Sequence, residues 1–227
     1  MLTQKDGLVA VAKPPGLLVI PGRNPEDQVC ARDLLSKQLG QRVWVCHRID
    51  RDTSGVVLFA LDEKAHRAAS MAFEQGLAKK KYLALVEGVV GGPLDIDLPL
   101  AEGRKGKMRV GDDGKPSRTL VRPVEVFSNA TLVECEPLTG RQHQIRVHLK
   151  AKGHPLLFDH QYGRKVPVVL GELTLARTPL HAASLFIESL GIEVTAPLPG
   201  DMTAAVAWLR LGVGLPSPPR GEGGTGT

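Results

Sequence analysis

Val43-Trp44-Val45-Cys46-His47-Arg48-Ile49-Asp50-Arg51-Asp52-Thr53-Ser54-Gly55-Val56-Val57-Leu58-Phe59 carries two apolar, β-branched runs with a polar, turn-forming segment wedged between them. Such runs read as two buried strands, and His47 to Gly55 as the loop that joins them. Within the loop, Asp50 stands between Arg48 and Arg51. Nearby opposite charge favours the ionised form of a carboxylate, so Asp50 is expected to stay charged well below neutral pH. That state suits a nucleophile or a base, and not an acid. The same letters also fit a plain turn, in which Asp52, Thr53 and Ser54 satisfy loose backbone amides and the arginines are merely solvated.

Upstream of this stretch, Leu8 to Lys13 reads as a buried strand stopped by Pro14-Pro15-Gly16, because proline supplies no ladder donor. Leu17 to Ile20 resumes it briefly, and Val29 to Leu39 reads as a short helix ended by Gly40. Downstream, Glu63 to Leu77 sets Ala65, Ala68, Ala69, Ala72, Phe73 and Leu77 at helical spacing. Lys79 to Gly88 looks like a strand with a basic entrance, and Leu94 to Leu98 alternates as a half-buried strand does. From Glu102 to Arg122, seven Lys or Arg face three acids, and glycines at 103, 106, 111 and 114 make the segment a flexible basic hairpin or loop.

Val124 to Phe127 and Thr131 to Cys135 form a further hairpin candidate. Thr139 to His154 then holds four Lys or Arg, three histidines and no acid. A helix over 141–152 aligns Ile145 and Leu149 on one stripe, to pack, and Gln142, Arg146 and Lys150 on another, to meet a phosphate or carboxylate. A surface helix with basic solubility residues is the plainer alternative. Leu180 to Leu190 and Ile192 to Ala196 read as strands turned at Gly191, and Met202 to Leu211 as a last helix capped by Asp201.

The 227 residues, 42% hydrophobic and 23% charged, suffice for a substantial core. No apolar run reaches the length of a membrane span, and Met1 to Gly7 lacks the basic start and apolar stretch of a signal peptide, so a cytoplasmic location is expected. Three cysteines without C-x-x-C spacing argue against a disulfide framework and a structural zinc site, and His143, His148 and His154 do not share a helix face, so no metal is expected. A net charge of +5 points to a polyanionic partner. One α+β domain over about residues 1–212 is expected, with a Gly/Pro-rich tail at 213–227 that cannot bury a core. Nothing requires more than a monomer.

Four stretches taken together resemble the RluA family of pseudouridine synthases. They are Val11 to Leu17, His47 to Gly55, Lys80 to Gly88 and Thr139 to His148, in an order and spacing that match over most of residues 8–201. The resemblance implies a single catalytic domain on a mixed, largely antiparallel sheet flanked by helices and loops. It also implies an enzyme that isomerises uridine in structured RNA, ribosomal or transfer, without a cofactor. The family's essential aspartate falls on Asp50, which either attacks the anomeric carbon or removes the ribose 2′ proton. Tyr82 matches the tyrosine that lies against the target base, Arg146 the basic partner of the aspartate, and Ile145 the aliphatic residue that packs in the pocket. Arg48 matches the arginine that fills the gap left by a flipped nucleotide. Arg141 and His143, in the fourth stretch, and Lys105, Lys107 and Arg109, in the basic segment, are expected to contact RNA. Phe158 stands where the family usually has glycine, and Glu188-Ser189 where a His-Pro pair is frequent.

Two other readings are open to these residues. A glycosidase using Asp50 and Asp52 needs one carboxyl with a raised pKa, and flanking arginines push the wrong way. An RNA-binding module without turnover shares the basic surface but gives Asp50 no role.

Overall fold

A computed structural model describes residues 1–216, except for the side chain of Lys105; the remainder of the expected tail, 217–227, lies outside the described residues. In chain order the elements are β1 (Thr3–Lys5), β2 (Leu8–Lys13), α1 (Ala31–Leu39), β3 (Trp44–Val45), β4 (Ser54–Ala60) and α2 (Glu63–Glu74). There follow β5 (Lys79–Glu87), β6 (Leu94–Asp97), β7 (Leu100–Glu102), β8 (Met108–Val110), β9 (Arg118–Val126), β10 (Ala130–Pro137) and α3 (Gln144–Ala151). The chain continues through β11 (Val168–Leu170), β12 (Leu173–Leu175), β13 (Leu180–Ile187), β14 (Ile192–Thr195) and α4 (Gly200–Leu209). Local chemistry sets several of these boundaries. Gly40 ends α1 in the left-handed region at φ 66°, and the Asp62 carboxylate accepts the Ala65 N–H to start α2.

Ten strands form one sheet whose path runs β1-β2-β4-β13-β5-β10-β9-β6, with β3 added to β4 and β14 to β13. Every pairing in it is antiparallel except β4 with β13. That parallel contact is short, because both strands divide one edge between two partners. His181 and Ala182 pair with Ser54 and Gly55, after which β13 turns to β14 and β4 to β3. The sheet is therefore two half-sheets that meet at a seam. Close approach there requires Gly55: its φ is 113°, and a Cβ would overlap the backbone of Ala182. The seam is bolted by a buried pair in which Ser54 Oγ donates to His181 Nδ1 at 2.9 Å while His181 Nε2–H donates to Ala196 O at 3.2 Å.

Helices cover both faces. On one, α1 packs through Ala31 and Leu35 on Val9, Val57 and Phe59, and α3 through Ile145 and Leu149 on Ala84, Val86 and Val133. On the other, α2 lies over Leu58 and Leu185, and α4 over Leu85 and Leu132. Tyr82 packs against the clusters under both α1 and α3, which places it between those two helices.

Several expectations are corrected. The helix at 141–152 begins only at Gln144, and Gln144 to Leu149 are all buried, so it has no polar stripe open to solvent. The sheet face, the β7–β8 hairpin and the chain after the helix enclose it, which local periodicity does not report. Asp201 does not cap α4; it lies within the helix and makes a two-bond ion pair with Arg177, at 2.6 and 2.8 Å. The strand from Leu180 ends at Ile187, where Glu188–Leu190 form a 3₁₀ turn. The basic segment is largely ordered into β7, β8 and β9: Arg109 pairs with Asp113, Arg118 with Asp95 and Arg122 with Glu134. At the other end, Leu215 N–H donates to Asn129 Oδ1 at 2.8 Å, so the chain just past 212 is held against the β9–β10 turn.

Candidate active site

The His47–Thr53 loop leaves β3 and re-enters the sheet at the seam. Its alternate residues are anchored: the backbone N–H of Leu58 donates to His47 Nε2 at 3.0 Å, and Ile49 is buried in the cluster under α1. Burial, with the charge of Lys80, pushes the His47 imidazole down to about 3. It is therefore neutral and serves as an acceptor. The intervening residues turn outward, Arg48 exposed and Asp50 half-buried. From below, the buried Lys13 ammonium donates to the carbonyls of Pro14, Leu17 and Arg51 at 2.7–2.8 Å, tying the first proline turn to the loop. Desolvation lowers its pKa to about 8, against the pull of Asp52 and, more weakly, Asp50. On the far side Arg177 donates to the carbonyl of Asp52 at 3.1 Å.

One cross-strand row runs Lys13, Gly55, Ala182, Tyr82, Cys135. Strands lie about 4.8 Å apart, so Tyr82 starts about 10 Å from Gly55, two strands along the face that carries the loop. Burial raises the pKa of its phenol, and the charge of Asp50 raises it further, so Tyr82 is a neutral phenol within the field of Asp50.

Asp50 is not held by the arginines beside it in the chain. Arg51 turns away to pair with Asp27, Arg48 points outward, and the partner is Arg146 of α3, whose Nη1 donates to Asp50 Oδ2 at 2.9 Å. The guanidinium is itself locked from behind. Nε and Nη2 donate to the two oxygens of Asp159 at 2.7 and 2.8 Å, and Nη2 also reaches Gln161 Oε1 at 3.1 Å. Burial lowers the Arg146 pKa, but the bonds to Asp159 and the charges of both carboxylates outweigh it and the net shift is upward. Burial likewise raises Asp159, and its bonds from Arg146 leave it below the ordinary carboxylate value. His143, in the left-handed region at φ 54°, places Nε2 3.8 Å from Asp50 Oδ2 and Nδ1 2.7 Å from the hydroxyl of Tyr162. Both neighbours thus face Oδ2, and among the described residues no hydrogen bond is made to Oδ1.

The structure brings together Asp50, Arg146 and His143, with Tyr82 near by and Ile145 buried in the apolar cluster against which Tyr82 packs. Arg141 lies outside the helix on the surface, its Nε 3.4 Å from Pro116 O. Lys107 stands close to the site, its Nζ 3.5 Å from the carbonyl of Gln161, while Arg109 is committed to Asp113. Lys105 cannot be placed, its side chain being outside the described set. Sequence reading missed Asp159, Gln161, Tyr162, Lys13 and Arg177 as members of the site. Asp159 had a signal: it is the one acid between Glu136 and Glu172, directly after the apolar run Leu156-Leu157-Phe158. A lone carboxylate in that setting requires a buried cation.

A sequence profile described as RNA pseudouridylate synthase matches residues 7–151. The chain is 35% identical over 223 residues to ribosomal large subunit pseudouridine synthase D of Nitrosomonas europaea, covering 92% of this chain and 65% of that one. It is 37% identical over 194 residues to the dual-specificity RNA pseudouridine synthase RluA of Vibrio vulnificus, covering 82% and 76%. It thus spans about two thirds of the length of the first relative, and the match to synthase C of Vibrio parahaemolyticus spans 54% of that protein. Among solved structures, human RNA pseudouridylate synthase domain containing 4 superposes with a TM-score of 0.76 at 26% identity, covering 96% of this chain and 94% of that one.

Proposed function

The chain belongs to the RluA family of RNA pseudouridine synthases, and on that premise we propose that it isomerises specific uridines of structured RNA, ribosomal or transfer, to pseudouridine, with Asp50 as the essential residue. The observation that carries the reading is the Asp50–Arg146 ion pair of 2.9 Å, set beside Tyr82 at the seam of the sheet. A carboxylate that must act on a ribose at neutral pH has to be ionised, fixed in direction and shielded from bulk water. Arg146 fixes the direction of Asp50 through one N–H on Oδ2, and the apolar cluster around Ile145, on which Tyr82 packs, walls the neighbouring part of the site.

In the reaction the bond from uracil N1 to the anomeric carbon breaks, the base turns, and carbon 5 bonds to the same sugar carbon. The proton on carbon 5 leaves and N1 regains one, so no atom is added and no redox partner enters. Asp50 Oδ1 faces the sugar, to bond the anomeric carbon or to take the 2′ proton. Tyr82, a neutral phenol, lies against the base and relays the carbon 5 proton: its oxygen takes that proton as its own O–H proton passes to water and on toward N1, so the phenol ends neutral. Chemistry on a stacked base requires its extrusion at a cost of a few kcal/mol. Arg48, exposed at the loop tip, fills the vacated space, and Arg141, His143, Lys107 and Arg109 line the approach for phosphates. Substrates of this kind place the work in the cytoplasm; no described helix is long and apolar enough to cross a membrane. The test is Asp50→Asn: pseudouridine formation should vanish while RNA affinity stays within about two-fold. Retained turnover would remove Asp50 from the chemistry.

A further inference from the structure

We propose that Tyr162 and His143 form a positioning relay, in which the docked β7–β8 hairpin fixes Tyr162, and Tyr162 holds His143 with its proton on Nε2, aimed at Asp50. The inference rests on the proposed function, because its consequence is read at the same carboxylate.

Hydrogen-bond arithmetic determines the direction. The backbone N–H of Met108, in β8, can only donate, and it does so to the Tyr162 hydroxyl oxygen at 2.7 Å. That phenol is 7% exposed, and His143 Nδ1, at 2.7 Å, is the only acceptor its own proton reaches among the described residues. If Nδ1 carried the proton instead, the phenol would accept twice and leave a buried O–H unpaired, at a cost of about 1–3 kcal/mol. Tyr162 therefore donates to Nδ1, and the histidine N–H lies on Nε2, 3.8 Å from Asp50 Oδ2. The edge-on packing of the two rings, with centroids 5.5 Å apart, is consistent with this arrangement.

The groups facing His143 come from three directions: Asp50 from the loop, Arg146 from its own helix, and Asp159, His160 and Tyr162 from the segment that follows. Burial lowers the imidazole pKa, outweighing the pull of Asp50, so the ring is neutral at pH 7 and its tautomer matters. With N–H on Nε2, His143 cannot compete with Asp50 as a base. At 3.8 Å its N–H stands beyond hydrogen-bond distance and lends a second positive dipole to the oxygen already held by Arg146, leaving Oδ1 for the sugar. The hairpin that supplies Met108 also carries the exposed Arg104 and Lys107, so RNA bound along it presses on the element that sets the tautomer.

The experiment is nitrogen NMR of histidine-labelled protein, with His143 assigned through His143→Asn, together with single-turnover rates and RNA dissociation constants. The wild type should show protonated Nε2 and bare Nδ1 at pH 7. Tyr162→Phe should give a mixture of tautomers and a rate lowered about five-fold, the worth of one hydrogen bond, with RNA affinity unchanged. His143→Asn keeps an acceptor near Tyr162 but no donor toward Asp50 and should be slower still; His143→Gln, whose amide nitrogen reaches toward Asp50, should recover part of the rate. A proton on Nδ1, or an imidazolium, in the wild type overturns the relay. So does a Tyr162→Phe protein that loses affinity at an unchanged bound rate, since the tyrosine would then serve hairpin docking alone. A wild type with the expected tautomer but no pseudouridine formation would overturn the proposed function and not the tautomer.

Discussion

Asp159→Asn removes a charge from the most enclosed part of the site while leaving its shape almost unchanged. In the native protein both oxygens of Asp159 accept from Arg146, and Oδ1 also accepts the N–H groups of Gln161 and Tyr162 at 3.0 and 3.1 Å. Asp159 is 1% and Arg146 5% exposed, so water cannot replace a lost partner. An amide offers one acceptor and turns its NH₂ toward a guanidinium that has only donors. Breaking a buried ion pair on one side costs about 3–5 kcal/mol, and for a domain of this size each kcal/mol moves Tm by about 2–4 °C. Tm should therefore fall by roughly 6–20 °C, and the urea midpoint should drop with an unchanged slope. Arg146, left with Asp50, Gln161 and at most one acceptor on the new amide, loses its two-bond clamp, and a misplacement near 1 Å costs on the order of 10²-fold in rate. The sign with pH follows from the carboxyl being held below its ordinary 3.8 in the folded state. Its contribution is complete above that value and is lost as pH falls through the lower folded pKa, so wild type and variant should converge on acidification. Calorimetry at several pH values and a tritium-release assay on RNA read all three effects. A variant that melts with the wild type at pH 7 and turns over normally would refute the buried-pair reasoning.

Three further outcomes follow from the same geometry. Tyr82→Phe should lose turnover far more than affinity, and a variant that binds weakly but turns over normally when saturated would take the hydroxyl out of proton transfer. Replacing Lys105, Lys107 and Arg109 with Ala should weaken RNA binding and reduce the salt slope by less than three phosphate contacts' worth, because Arg109 is already paired with Asp113; an unchanged slope would move the RNA path off the hairpin. Gly55→Ala combines a positive φ, worth about 1–3 kcal/mol of strain, with overlap at the Ala182 backbone. It should unfold the protein or lower Tm by several degrees, and a neutral result on melting would show that the seam is more pliant than drawn.

Most element types were legible in the sequence because they rest on local pattern. Apolar runs marked β2, β4, β5 and β10, alternation marked β6, the alanine spacing marked α2, and glycines 40 and 191 marked stops that the backbone indeed makes in the left-handed region. The letters from His47 to Gly55 also marked the loop that carries Asp50. What surrounds Asp50 was not legible in the same way. The chain sets Arg48 and Arg51 close to it, yet Arg51 turns to Asp27 and Arg48 meets solvent. The arginine that does hold Asp50 is 96 residues away. Its burial, and hence the need for Asp159, exists only once α3 is closed in by the sheet, the hairpin and the segment after the helix. Periodicity reports which face of an element is apolar, whereas the partner of a buried charge depends on which distant elements enclose it, and only the assembled fold decides that.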